Sequence, residues 1–292
     1  MRSAILSVKL LKTAFFVVFL FSPLIVRSQS VPLPHAFAHN DYFHKRPLFD
    51  ALDNGYTNIE ADIFLENDEL IVAHINPFFK SDRTLEALYL KPLAEHIEKN
   101  DGQVYKGYNE PVILMIDIKT GAENTYRRLK ILLQKYRAIL SRYDHGNVVR
   151  KAVTIVLSGH KPFRLVREED DRMAFIDEDL RKTSQDTSSA NVYKLASCKY
   201  SKLLSWNGEG QMPAAEKARL CAYVEMAHRF GKKVRLWASP EKRNVWDQLL
   251  DCGVDLINTD KLEELRDFLL ARAEKEHKYD NADLMITSNT AR

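Results

Sequence analysis

The stretch Pro111-Val112-Ile113-Leu114-Met115-Ile116-Asp117-Ile118-Lys119 decides the fold class. Val112 to Ile116 is an unbroken apolar run, and the chain then turns polar at Asp117 and Lys119. A strand with no polar face is buried on both sides, as in a parallel sheet covered by helices. A polar C-terminal end on such a strand lies where α/β folds place their chemistry. Earlier in the chain, Thr57 to Leu65 alternates, with Ile59, Ala61 and Ile63 on one side and Glu60, Asp62 and Phe64 on the other. Successive strand residues point to opposite faces, so Glu60 projects with Asp62, and Asp117 with Lys119.

Working outward, Phe37 to Asn40 reads as a short first strand ending at His39-Asn40, and Arg46 to Asn54 as a helix stopped by Gly55. Beyond the turn Glu66-Asn67-Asp68, Leu70 to Ala73 runs back as a hairpin partner and delivers His74 close to the carboxylates. Thr84 to Lys99 predicts one or two helices around Pro92, Asn124 to Ser141 a helix, and Ala152 to Ser158 a second buried strand. Ala174 to Ile176 and Lys202 to Trp206 are short strand candidates on either side of the polar loop Arg181 to Ala190. The remainder alternates again: helix Ala214 to Phe230, strand Val234 to Ala238, helix Asn244 to Asp251, strand Val254 to Ile257 and helix Leu262 to Arg272.

Strands alternating with helices, and a count of about eight strands, predict an α/β fold closed as a (β/α)8 TIM barrel. An open doubly wound sheet is the alternative, but no Gly-rich phosphate loop follows the first strand. In a barrel the strand ends carry the chemistry, and His39, Glu60, Asp62, Asp117, Lys119, Trp237 and Asp260 lie at or near such ends.

Residues 1–28 have the pattern of an export signal: Arg2, Lys9 and Lys12, then an apolar run from Ala14 to Val26, with Val26 and Ser28 suiting cleavage after Ser28. Pro23 interrupts that run, which is short for a membrane span of about 20 residues. Secretion or a periplasmic location is therefore expected. Residues 29–275 are expected to form the barrel and residues 276–292 a flexible tail. The chain holds 43 basic and 40 acidic residues; removal of the leader's four basic residues leaves 39 against 40. The sequence pI of 8.6 thus comes from the leader and gives no indication of nucleic acid. No protein partner is indicated. Cys198, Cys221 and Cys252 allow at most one disulfide, and Cys221 and Cys252, lying in helical patterns, read as buried free thiols.

Glu60, Asp62 and Asp117 offer three carboxylate arms from two strands, a donor set that suits one hard divalent cation, Mg2+ or Ca2+. Lys119 adds a positive charge for a phosphate, and His39 and His74 are candidates for acid and base because imidazole titrates near neutrality. The same residues also admit a structural reading, with Asp117 paired to Lys119 and Glu60 and Asp62 solvated.

Ala38-His39-Asn40-Asp41, Ile59-Glu60-Ala61-Asp62, Val72-Ala73-His74 and Asp117-Ile118-Lys119-Thr120 occur in the order of the motifs of the glycerophosphodiester phosphodiesterase / phosphatidylinositol phospholipase C-like superfamily, which the chain resembles. Gly253-Val254-Asp255 with Thr259-Asp260 resembles its closing motif. His39-Asn40-Asp41-Tyr42, Trp206-Asn207-Gly208-Glu209-Gly210 and Trp237-Ala238-Ser239-Pro240 are most similar to the branch named for altered inheritance of mitochondria protein 6. Asp117 to Gly121 also resembles spider-venom sphingomyelinase D enzymes. The resemblance implies a phospholipase C-like TIM barrel with one divalent cation on Glu60, Asp62 and Asp117. It also implies His39 and His74 as acid–base catalysts, Lys119 facing the phosphate, and Asn40, Trp206, Trp237 and Asp260 around the substrate. Glycerophosphodiesterases usually carry Arg where this chain has Asn40, and many relatives use Glu where it has Asp117. The cysteine-bridged loop of the venom enzymes is replaced by Ile75-Asn76-Pro77-Phe78-Phe79, an apolar loop suited to lipid or to the pocket wall.

The expected activity is metal-dependent cleavage of a P–O bond in a lipid-derived or small phosphodiester, with contact to a membrane surface as part of the expectation. The alternative is a non-catalytic barrel that binds phosphorylated lipid or glycan.

Overall fold

Val112–Ile118 is a strand with parallel neighbours on both sides, Tyr56–Glu66 and Val153–Gly159. The computed structural model describes residues 30–77, 82–183 and 191–290. In chain order the strands of its main sheet are β1 (Leu33–Ala38), β2 (Tyr56–Glu66), β3 (Val112–Ile118), β4 (Val153–Gly159), β5 (Ala174–Asp179), β6 (Tyr193–Lys199), β7 (Lys233–Trp237) and β8 (Leu256–Thr259). Each is parallel to the next, and β8 pairs in parallel with β1, so the sheet closes into an eight-stranded α/β barrel. The strand Glu69–Val72 folds back antiparallel on β2, as the hairpin reading expects.

Two layers of core follow from strand parity. Phe37, Ile113, Met115, Val156, Phe175, Leu195 and Leu256 point inward and fill the lower barrel. Their alternates, among them Ile59, Ala61, Leu114, Ile116 and Leu157, pack outward in the larger core shared with the helices. Those helices are α1 (Phe49–Asp53), α2 (Lys91–Lys99), α3 (Ala122–Lys135), α4 (Phe163–Glu168), α5 (Ala214–Arg229), α6 (Arg243–Asp251) and α7 (Leu262–Thr290). Between β5 and β6 the described residues form only the 3-10 turn Leu180–Lys182. No helix among the described residues is long and apolar enough to cross a membrane.

Several elements differ from the sequence reading. The sixth strand is Tyr193–Lys199, not Lys202 to Trp206. The apolar residues Leu203, Leu204 and Trp206 are buried without entering the sheet, and the Tyr200 hydroxyl donates to the Trp206 carbonyl at 2.7 Å. The α3 helix ends at Lys135, and Leu140 makes an isolated parallel bridge to Val153. The last helix continues from Leu262 to Thr290, beyond the Arg272 end expected for it. Cys221 and Cys252 are not free thiols but a disulfide, because α5 and the end of α6 bring their Cα atoms to 4.7 Å; Cys198 is free and buried. The expected leader at 1–28, Phe78-Phe79 and residues 184–190 of the polar loop lie outside the described residues.

Candidate active site

Above the apolar plug, the inward row of each strand turns polar and faces a cavity of about 460 Å³. Glu60 and Asp62 from β2 and Asp117 from β3 each direct a carboxylate oxygen into one cluster, all three atoms within 4.8 Å of one another. The in-register pairing of Asp62 with Asp117 sets these arms side by side. Close approach is kept open by Gly159 at the end of β4, where φ is +66° and a Cβ would overlap the Asp117 carboxylate.

Cations surround this cluster. Lys119 Nζ lies 3.0 Å from Asp62 Oδ2 and 3.1 Å from Asp117 Oδ1. Burial works against its charge, but Asp117 and Asp62 outweigh burial and hold its pKa above the ordinary lysine value. Arg235 from β7, 4% exposed, donates to Glu60 Oε2 at 3.2 Å and to Asn258 Oδ1 at 3.0 Å, with its guanidinium over the Phe37 ring. Even so, burial pushes both Glu60 and Asp62 above the usual carboxylate range, against the pull of Arg235 and His39 on the first and of Lys119 on the second. Buried carboxylates with incomplete compensation and only oxygen donors fit a hard divalent cation held by Glu60, Asp62 and Asp117.

Both histidines line the cavity. His39 Nδ1 lies 2.7 Å from Asp260 Oδ1, which commits that ring nitrogen to the carboxylate. Burial lowers the pKa of His39, but the bond to Asp260 and the field of Glu60 more than reverse this and raise it above the ordinary value. His74 Nδ1 lies 3.1 Å from the Tyr42 hydroxyl and 3.5 Å from Asp62 Oδ2. The Tyr42 hydroxyl donates to Asp62 Oδ2 at 2.8 Å. Burial, with the adjacent Asp62, pushes the phenol far above its ordinary pKa, so it is a fixed donor.

Of the predicted substrate residues, Asn40 and Trp237 line the cavity. Asn40 has φ 47°, and its side-chain amide is 2.9 Å from His39 Nδ1 and 2.8 Å from the Tyr42 hydroxyl, so it braces the site. Asp260 acts on His39 and does not line the cavity. Trp206 is not brought there either: it is 8% exposed, and its ring N–H donates to the Glu209 carbonyl at 2.8 Å.

The sequence reading missed Tyr42, Arg235, Ser158 and Asp177. Strand parity held the signal for Arg235, two residues before Trp237, and for Asp177, two after the inward Phe175. Burial raises the pKa of Asp177, with Arg235 and Lys161 opposing it.

The protein-family comparison matches residues 26–177 to the AIM6-like phosphodiesterase domain and residues 233–263 to the glycerophosphoryl diester phosphodiesterase family. Among curated proteins, the chain is 30% identical over 276 residues to altered inheritance of mitochondria protein 6 of Eremothecium gossypii, covering 82% of this chain and 71% of that one. The proteins of the same name from Lachancea thermotolerans and Kluyveromyces lactis are 29% and 28% identical, covering 80% and 81% of this chain. The chain spans 65% of the first of these and 72% of the second. The first family match takes in more than half of the sequence and carries both histidines and the whole carboxylate cluster. The chain belongs to the AIM6-like phosphodiesterase domain family.

Proposed function

We propose that the chain is an exported, divalent-metal-dependent phosphodiesterase that cleaves a P–O bond of a lipid-derived or small, glycerophosphodiester-like substrate by His39/His74 acid–base catalysis. The observation that carries this reading is the convergence of the carboxylate cluster, both histidines and Lys119 on one cavity. Bound at Glu60, Asp62 and Asp117, the cation supplies polarisation of a phosphoryl oxygen and neutralises the charge that develops on it. Lys119, whose ammonium lies 3.1 Å from Asp117 Oδ1, would add a positive charge beside the same phosphate. A neighbouring substrate hydroxyl attacks phosphorus as His74 takes its proton. His39, held by Asp260 and biased toward imidazolium, gives a proton to the departing oxygen. Water then opens the cyclic phosphate as the two histidines exchange roles.

Export is supported by the leader pattern and by the Cys221–Cys252 disulfide, a bond kept mainly in oxidising compartments. Contact with a membrane surface is supported by exposed apolar side chains, with Phe43 66%, Ile75 72% and Trp237 40% exposed, the Phe43 ring 5.6 Å from that of His74.

The test is turnover of bis-p-nitrophenyl phosphate, glycerophosphodiesters, lysophospholipids and phosphoinositides with added Mg2+ or Ca2+ and with EDTA. Turnover is expected to require the cation, to vanish in Glu60→Ala, and to fall roughly 10²–10⁴-fold when either histidine becomes Ala. A His39→Ala/His74→Ala double variant that works at the wild-type rate overturns the assignment.

A further inference from the structure

The barrel has a second recess, at the end opposite the candidate active site. A cavity of about 160 Å³ opens among the N-terminal ends of β3, β4, β6 and β7. Thr154 of β4 lines it four residues before Ser158, about 13 Å along the strand, with Val156 of the apolar plug between them. Strand parity gives Thr154 the inward direction of Val156. It is 7% exposed, and its hydroxyl makes no hydrogen bond among the described residues.

Lys194 of β6, Lys233 of β7 and Arg150 share this lining with one acid, Glu110. Arg150 Nη1 donates to both Glu110 oxygens at 3.2 Å, so that acid is already engaged. Neither lysine has a carboxylate partner among the described residues. Lys194 is partly buried, with its ammonium 4.9 Å from the ring centroid of the plug residue Phe175. The pairing of β6 with β5 shifts register between Tyr193 and Leu195, and a bulge of this kind re-aims a side chain. Lys194 thereby reaches the plug although its neighbour Leu195 also points inward. Lysines drawn below the surface elsewhere are matched by acids, Lys119 by Asp62 and Asp117 and Lys232 by Glu178. Burial, together with Arg150 and Arg172, lowers the pKa of Lys194 below the ordinary lysine value, as for a cation short of compensation.

We propose that this recess binds a small dianionic oxyanion, inorganic phosphate or the phosphoryl group of a soluble monoester, held by Lys194, Thr154 and Lys233. Three cations against one acid leave two positive charges, which a dianion neutralises. Two ammonium groups and a hydroxyl donor suit the several acceptor oxygens of a phosphoryl group. None of the three residues lines the upper cavity, so the site stands independently of the phosphodiesterase reading.

The test is calorimetric titration of inorganic phosphate, glycerol phosphate and nitrate, at constant ionic strength, into Lys119→Met protein in EDTA. That background leaves the carboxylates of the candidate active site without a cation, so they repel an anion there. One phosphate is expected to bind per chain, and roughly tenfold more weakly when Lys194→Met or Thr154→Val is added. Thr154→Val removes an unpaired buried hydroxyl and Lys194→Met a charge that burial opposes, so both variants are expected to fold. Phosphate should raise the melting temperature of the parent and not of these variants. Binding of inorganic phosphate alone supports the free ion as occupant, and binding of both phosphates supports a monoester. No phosphate binding, binding unchanged by both substitutions, or equally tight binding of nitrate overturns the proposal.

Discussion

Arg235 shows how one side chain holds a charged interior together. It is buried against Phe37 and answers Glu60, Asn258 and Ser197 at once. Removing one partner of a buried pair leaves an uncompensated charge, which costs about 3–5 kcal/mol. Arg235→Met is therefore expected to lower Tm by roughly 10 °C in EDTA, at a few degrees per kcal/mol for a domain of this size. A divalent cation at Glu60 would replace part of the lost positive charge, so the deficit should shrink when Mg2+ or Ca2+ is added. Thermal melts of both proteins with and without the cation check this, and a deficit indifferent to the cation would count against Glu60 as a ligand.

At the scale of elements, the disulfide ties α5 to the end of α6 across 31 residues of sequence. A cross-link restricts the unfolded chain more as its loop lengthens, and a loop of this size is worth about 3.7 kcal/mol. Cys221→Ser/Cys252→Ser should lose that much in denaturant titrations, with reduction of the wild type giving the same loss. Gly159 acts through the end of β4. The positive φ and the nearness of Asp117 both oppose a side chain there. In Gly159→Ala the Asp117 carboxylate has to move, so the variant should bind divalent cation at least tenfold more weakly by calorimetry while keeping a native circular dichroism spectrum. Unchanged affinity would remove Asp117 from the ligand set.

For the whole molecule, the seam between β8 and β1 is where the barrel closes, and His44 bridges it. Its Nδ1 faces the Asp41 carbonyl at 3.0 Å, with Asp41 Oδ1 at 3.7 Å, and its Nε2 faces the Asp260 carbonyl at 3.4 Å. Only the imidazolium can donate from both nitrogens. The nearby Asp41 carboxylate, opposed by burial, raises its pKa to about 9. Because the folded value lies above the ordinary 6.5, the stabilisation is complete below pH 6.5 and is lost as pH rises through about 9. Wild type should lose on the order of 2 kcal/mol of stability relative to His44→Gln between those limits, read by urea titration at each pH. A difference between the two proteins that does not change with pH would refute the assignment.

Sequence alone determined the α/β barrel, the paired inward carboxylates of β2, Asp117 with Lys119 and the two histidines, because each is a local pattern: a buried run, an alternation or a strand end. It did not reveal that Arg235 meets Glu60, since 175 residues separate them and only barrel closure brings β7 opposite β2. The Cys221–Cys252 bond likewise depends on how α5 packs beside α6, and helical pattern says nothing of that. Trp206 and Lys202 to Leu204 misled for the converse reason: an apolar run reports burial, not whether the burial is in the sheet, beside it or in a pocket. Asp177 and Ser158 needed both register and cavity to be noticed, because an unsatisfied hydrogen-bonding group is defined by every neighbour that fails to reach it. Local periodicity determines which face of a strand a side chain takes; only the closed barrel decides what that face meets.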